Sequence, residues 1–218
     1  LLNQTTAAQM LSMLNLAGFG MAAWDPSSHE PHTPYRYRTT QVAVFDRNLK
    51  ELASKLKVGA LLSHIRGVPM TSTVQVNDQN VHPFRFDGVP LAMAHNGDLA
   101  GFRDMRFDLV PHVRPEFARA ISGSTDSEWI YALVASALPD AYVMNSPEAI
   151  LDAIRDALTT IRKVRERHGI TRSSSANLIF CDGTNLVAVR YTFDFGRFDV
   201  SQLQGSADFL SMWYTFGR

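Results

Sequence analysis

The apolar positions of this chain fall into groups, and the groups carry two different periods. Near the start, "AGFGMAAW" (17–24) is apolar without interruption around two glycines, the pattern of a strand entered through a flexible turn. "DPSSHEPHTPYR" (25–36), rich in Pro, Ser and His, reads as a surface loop. Asp46 is placed to cap a short helix that carries Leu49, Leu52, Ala53 and Leu56 on one face. "VGALLSHIR" (58–66) reads as a buried strand ending in polar residues, and "PLAMAHNG" (90–97) as a second strand running into a turn. Between them, 69–84 is polar with little periodicity, and long loops of that kind in compact domains are usually functional. The period then becomes helical. Thr125 and Glu128 form a capping box at the head of 123–138, ahead of the stripe Ile130, Leu133, Val134, Leu138. Over 146–169, Ser146 caps, Pro147 takes the first helical position, Gly169 stops the helix, and Ile150, Ile154, Leu158 and Ile161 face one way. "ANLIFCDGTNLVAVRYT" (176–192) reads as a hairpin turning at Asp182-Gly183, and "FLSMWYTFG" (209–217) as a last strand. Strands, two helices and strands again predict an α+β fold rather than a βαβ repeat. With no internal repeat and no linker, residues 1–218 read as one domain.

Composition narrows this little. The chain has 218 residues, 45% hydrophobic and 19% charged, ordinary for a globular domain. Lys+Arg and Asp+Glu balance at 21 each, which gives no electrostatic case for nucleic acid or an anionic membrane. No apolar run reaches the roughly 20 residues of a membrane span, and no secretory signal opens the chain. A single cysteine, Cys181, rules out a disulfide framework or a cysteine-based zinc site within one chain and fits a cytoplasmic location. The chain begins "LLNQTT" and ends "LSMWYTFGR", inside what reads as a strand, so a domain lacking its N-terminal segment and C-terminal end is expected.

Polar clusters stand at the ends of the apolar segments: His64 and Arg66; Asn80 to His82; His95 to Asp98; Ser124 to Glu128. Each alone has a plain structural explanation. His64 on a strand is more often a satisfied core histidine than a base, Asn96-Gly97 is a strong turn signal, and Asp126 suits the N-terminus of its own helix. Their order is more informative. "LLSHIRG", "NVHPF", "AHNGDL" and "GSTDSE", taken in sequence, resemble the class II glutamine amidotransferases, a branch of the N-terminal-nucleophile hydrolases. The flanking "AGFGMAAW" and "ANLIFCDGTNLVAVRYT" extend the resemblance over almost the whole chain. It is nearest to the small stand-alone subgroup that includes the amidotransferase-like subunit of fungal glutathione degradation and the amidohydrolase of ergothioneine synthesis.

The resemblance implies a four-layer αββα sandwich, two antiparallel sheets face to face with helices outside. It implies hydrolysis of a γ-glutamyl amide, glutamine or a γ-glutamyl conjugate, without a cofactor. Arg66 would grip the substrate α-carboxylate and Asp126 the α-ammonium; the Asn96 side-chain amide and the Gly97 backbone N–H would donate to the oxyanion. His82 and His95 would order the substrate site. The family's nucleophile is an N-terminal cysteine, and position 1 here is Leu1, so the thiol is expected upstream; Cys181, late in an apolar strand, reads as core. The chain departs from the family at "NLAGFG" (15–20), where Leu16 replaces a glycine and Ala17 an acidic position, and in "GVPMTSTVQVNDQN" after Arg66. The implied partners are a small-molecule γ-glutamyl substrate and, for ammonia transfer or peptide breakdown, a separate synthase or peptidase subunit. A homo-oligomer is left open. The alternative from another class is a catalytically silent amidotransferase-like scaffold serving as a binding or regulatory subunit.

Overall fold

The computed structural model describes residues 13–14, 17–69, 76–194, 212 and 214–216. Its elements in chain order are β1 (Met13–Leu14), β2 (Phe19–Trp24), β3 (Tyr35–Thr39), α1 (Arg47–Lys55), β4 (Ala60–Ile65), β5 (Val68–Pro69), β6 (Ala92–Asp98), α2 (Phe102–Met105), α3 (Pro115–Ala120), α4 (Asp126–Ala137), α5 (Pro147–Arg167), β7 (Ser174–Cys181) and β8 (Leu186–Phe193). Two three-stranded antiparallel sheets, ordered β3-β2-β4 and β6-β7-β8, carry the fold, and β1 pairs with β5 alone.

The sheets meet through small residues. Ala22, Trp24 and Leu62 from one sheet pack against Ala92, Ala94 and Cys181 from the other. Strand alternation fixes which face each residue shares. With Ala92 and Ala94 facing the opposite sheet, Asn96 and Asp98 continue that face, and His95 turns to the far side. With Leu62 facing inward, so does His64. The far side of β6-β7-β8, through Met93, Ala176, Leu178, Phe180, Val187 and Phe193, packs on α4 and α5.

Both long helices start where their caps predict. Thr125 Oγ1 accepts from Glu128 N at 3.3 Å, and Ser146 Oγ accepts from Ala149 N at 3.2 Å. The Glu128 carboxylate reaches past the cap, accepting from Ser122 N at 3.0 Å and Gly123 N at 2.7 Å, so it fixes the loop before α4 rather than closing a simple capping box. Ile150, Ile154, Leu158 and Ile161 are buried as their spacing predicts, while α4 is buried nearly all round. Asp46 caps α1, accepting from Leu49 N at 3.0 Å, and is tied by the Tyr37 hydroxyl to the outer face of β3-β2-β4. Among the described residues α1 is the helix on that face, and none of its residues is fully buried.

Three expectations need correction. The loop read over 25–36 ends early, because Tyr35 and Arg36 already belong to β3. The strand read over 58–66 is buried only at alternate positions, since Leu61 faces the outer side. The last strand expected at 209–217 lies outside the described residues, apart from Met212 and 214–216, which carry no regular structure.

One buried residue holds the helical layer to the second sheet. Arg165, fully buried near the end of α5, donates through Nη1 to Ala100 O (3.2 Å) and Ser174 Oγ (2.9 Å), and through Nη2 to Arg172 O (2.6 Å) and the Asp194 carboxylate (2.9 Å). Its guanidinium lies 5.0 Å from the Phe193 ring centre.

Candidate active site

The polar ends of β4 and β6 face each other across the sheets. His64 Nε2 lies 2.8 Å from Asn96 Oδ1. Burial pushes the His64 pKa down to about 4, against a partial rescue by the Asn96 bond. The ring is therefore neutral at pH 7. Because an amide oxygen only accepts, the proton sits on Nε2. That bond orients the Asn96 amide: its oxygen is taken, and its Nδ2 remains as a donor at the exposed end of β6.

Arg66 follows β4 and is buried, with its backbone continuing the ladder through Arg66 N to Gly18 O at 2.8 Å. Burial lowers its pKa from the usual guanidinium value, and the Asp126 carboxylate opposes that shift. Asp126 opens α4. Its Oδ2 accepts from Leu99 N at 2.7 Å and its Oδ1 from Ser127 N at 2.8 Å. The first bond ties the head of α4 to the turn just after Gly97. A second tie runs from Asn80, whose side chain accepts from Ser124 N (2.8 Å) and donates to Ser124 Oγ (3.1 Å).

His82 and His95 occupy different layers. The His82 ring centre is 4.2 Å from His64 and 4.7 Å from Phe84, and both its ring nitrogens are buried without a hydrogen-bond partner. Burial, then the neighbouring His64, hold it well below the usual histidine range. His95, on the helix side of β6, places Nδ1 2.8 Å from Ser127 Oγ, linking the strand to α4. Burial lowers its pKa too, against Asp126 and the Ser175 carbonyl. Gly97 is forced to be glycine. An added Cβ would stand 1.9 Å from Ser175 O and 2.6 Å from His95 Nε2, and its φ is +154°. Asp98, raised by burial and then by the Asp126 charge, completes an acidic end to the cleft.

The six residues singled out from the sequence thus lie in one connected neighbourhood: Arg66 and His95 each feel the Asp126 charge, His82 packs on His64, and His64 bonds Asn96, which Gly97 follows. Cys181 lies apart, buried against Ala22 and Trp24, with its thiol pushed up by burial. Among the described residues no three His, Cys, Asp or Glu side chains are arranged to share a metal ion, and no helix is long and apolar enough to cross a membrane. Opposite Asn96 in the ladder stands Asn177, which the sequence reading did not single out and only the strand register reveals.

Residues 15–195 match the profile of the glutamine amidotransferases class-II. The chain belongs to the class II glutamine amidotransferases. It is 28% identical over 194 residues to the "Probable glutamine amidotransferase DUG3" of Saccharomyces cerevisiae, an alignment covering 82% of this chain and 52% of that protein. The chain therefore spans about half the length of this curated relative. Among solved structures, a glutamine aminotransferase class-II domain protein from Silicibacter pomeroyi superposes with a TM-score of 0.62 at 27% identity, over 83% of this chain and 74% of that one. The glutamine phosphoribosylpyrophosphate amidotransferase of B. subtilis shares the fold, with a TM-score of 0.52 at 16% identity over 84% of this chain and 32% of that one. The α+β architecture of two antiparallel sheets is that of the family.

A pH dependence follows from these buried histidines. A histidine kept neutral by the fold binds its proton less tightly than in the unfolded chain, so the unfolded chain protonates first as pH falls. For His64, stability is complete above about 6.5 and is lost as pH falls towards about 4, by about 3 kcal/mol at the lower end. His82 and His95 act in the same direction. Asp98 and Glu128, raised by burial, act in the opposite direction. Denaturant titrations at pH 7.5 and 4.5 are expected to show a much lower midpoint in acid; equal midpoints would contradict neutral burial of this cluster.

Proposed function

We propose that this site hydrolyses a γ-glutamyl amide, either glutamine or a γ-glutamyl conjugate, through a thioester. Arg66 makes the bidentate pair with the α-carboxylate and Asp126 receives the α-ammonium. The thiol in this reading is the N-terminal cysteine that the family resemblance implies; Cys181 is buried in the packing between the sheets. The sulfur attacks the γ-carbonyl carbon, and the negative charge moves onto its oxygen, facing Asn96 Nδ2 and the Gly97 N–H. Collapse breaks the C–N bond, and the leaving amine departs with the proton from the thiol, carried by the cysteine's own α-amino group. Water then cleaves the thioester, giving glutamate and the free thiol.

The observation that carries this reading is the His64–Asn96 bond: it leaves the Asn96 amide with one free end, a donor, on the same strand end whose next turn is tied to Asp126, itself in electrostatic reach of Arg66. Donor removal in such sites typically costs about 10²–10³ in turnover. Asn96→Ala is therefore expected to lower kcat by about that factor with KM little changed, and Arg66→Ala to raise KM first. Both are measured as ammonia or amine release from glutamine and from γ-glutamyl conjugates. If the full-length protein takes up one diazoketone glutamine analogue at an N-terminal cysteine, the thiol assignment stands. If it takes up none and releases no amine, the chain is a silent scaffold; if it is active and both variants match it, the site assignment is wrong.

A further inference from the structure

The proposed oxyanion site has two donors, and the His64 bond accounts for the orientation of only one. We infer that Asn177, on β7, is the positioning residue for the other, the Gly97 N–H; this rests on the reading of the site given above. The β6–β7 register sets Asn96 opposite Asn177 and Gly97 opposite Ala176. Alternation carries Asn177 onto the face that also holds Ile179 and Cys181, the face turned to the opposite sheet and to the cleft. Its Nδ2 donates to the backbone oxygen of Asn96 at 3.1 Å.

That oxygen belongs to the peptide unit joining Asn96 to Gly97. The same planar unit bears the Gly97 N–H. A donor on the carbonyl end of a peptide draws charge from its nitrogen, makes the N–H a stronger donor and resists rotation of the plane. The constraint matters here because the plane ends on a glycine, the residue with the greatest backbone freedom. The two proposed oxyanion donors are then built alike. In each, an amide has its oxygen held by a dedicated donor, His64 Nε2 on the Asn96 side chain and Asn177 Nδ2 on the Asn96–Gly97 peptide, and its N–H end is left to the substrate. Asn177 acts through that peptide and not on the substrate.

A bond that merely braced two strands would stabilise the fold and leave turnover alone. The test uses the full-length protein and reads both. The amide ¹⁵N resonance of Gly97 is compared between wild type, Asn177→Ala and Asn177→Asp, together with kcat, KM and thermal unfolding on γ-glutamyl amides. The expected result is a displaced Gly97 resonance and kcat lower by about tenfold in Asn177→Ala, the worth of one such bond, with KM within about twofold of wild type. Asn177→Asp keeps the shape, removes the donor and sets a carboxylate against the carbonyl, so its kcat falls further than that of the alanine variant. An unmoved Gly97 resonance overturns the inference whatever the activity. So does a wild-type kcat in Asn177→Ala when the parent is active. A full-length parent that turns over no γ-glutamyl amide overturns the reading of the site, and the role of Asn177 with it.

Discussion

Gly97→Ala is expected to abolish turnover, the largest kinetic effect of any single change in this site. The new Cβ would stand 1.9 Å from the Ser175 carbonyl oxygen, 2.7 Å from its carbon and 2.6 Å from His95 Nε2. Two of those atoms are backbone of the paired strand and the third is a buried ring, so none can swing aside cheaply. Relief requires β6 and β7 to separate at the Gly97–Ala176 pair. That movement would carry away the Gly97 N–H and, through the adjoining peptide, the Asn96 amide. Loss of both donors together is expected to exceed the factor of about 10²–10³ typical of one. Strain of this kind in a packed strand also costs about 1–3 kcal/mol of stability. The control is Gly169→Ala, at the end of α5. Gly169 has φ +62° and open space around it, so the variant is expected to lose about 1 kcal/mol and keep full activity. Turnover and thermal unfolding of the pair separate a local clash from a general sensitivity to alanine; equal activity in the two would show that Gly97 is replaceable.

Arg165→Met is expected to have the largest effect on stability. Methionine fills much of the volume but leaves Ala100 O, Ser174 Oγ and Arg172 O without their donor, and Asp194 without its cation. Removing one partner of a buried pair typically costs about 3–5 kcal/mol, a large part of the roughly 5–15 kcal/mol that holds a domain together. The damage does not stop at the core. Ser174 Oγ also accepts from Ala100 N at 2.8 Å, and the preceding residue, Leu99, donates to Asp126. Arg165 thus steadies the turn that carries the acidic end of the cleft. A denaturant midpoint well below that of wild type, with Arg165→Lys intermediate because it keeps the charge but loses the fork, checks this. A midpoint within experimental error of wild type would show that the network contributes nothing net.

Sequence reading recovered the helical layer well, for identifiable reasons. Ser146, Pro147 and Gly169 bracket α5, and its isoleucines and leucine repeat at helical spacing, so local and tertiary signals agree. It missed β3 because "YRYRT" alternates aromatic residues with arginine and threonine, follows a proline-rich loop and sits at a sheet edge where neither face is fully buried. The segment 102–120 gave no period because its helical turns are short and interrupted, with Pro111 inside one and Pro115 opening the next. In the site, Arg66, Asn96, Gly97 and Asp126 were legible as ordered blocks. The roles of the histidines were not. His64 and His95 differ by layer, and only alternation from a known inward position separates the one that faces Asn96 from the one that faces Ser127. Asn177 is 81 residues from Asn96 along the chain, and no local pattern marks it.

The β6–β7 pairing also sets which changes of chain length this domain can absorb. The hairpin turn between Cys181 and Leu186 lies beyond the last pair of that ladder, so extra residues there would lengthen a loop and leave every upstream pairing intact. A single residue inserted between Asn177 and Cys181 would do what no substitution does. With the distal pairs held by the sheet packing, Asn177 would turn to the helix side and its neighbour Ala176 to the cleft. In natural variants of this domain, insertions and deletions are therefore expected at the 182–185 turn and not within 177–181.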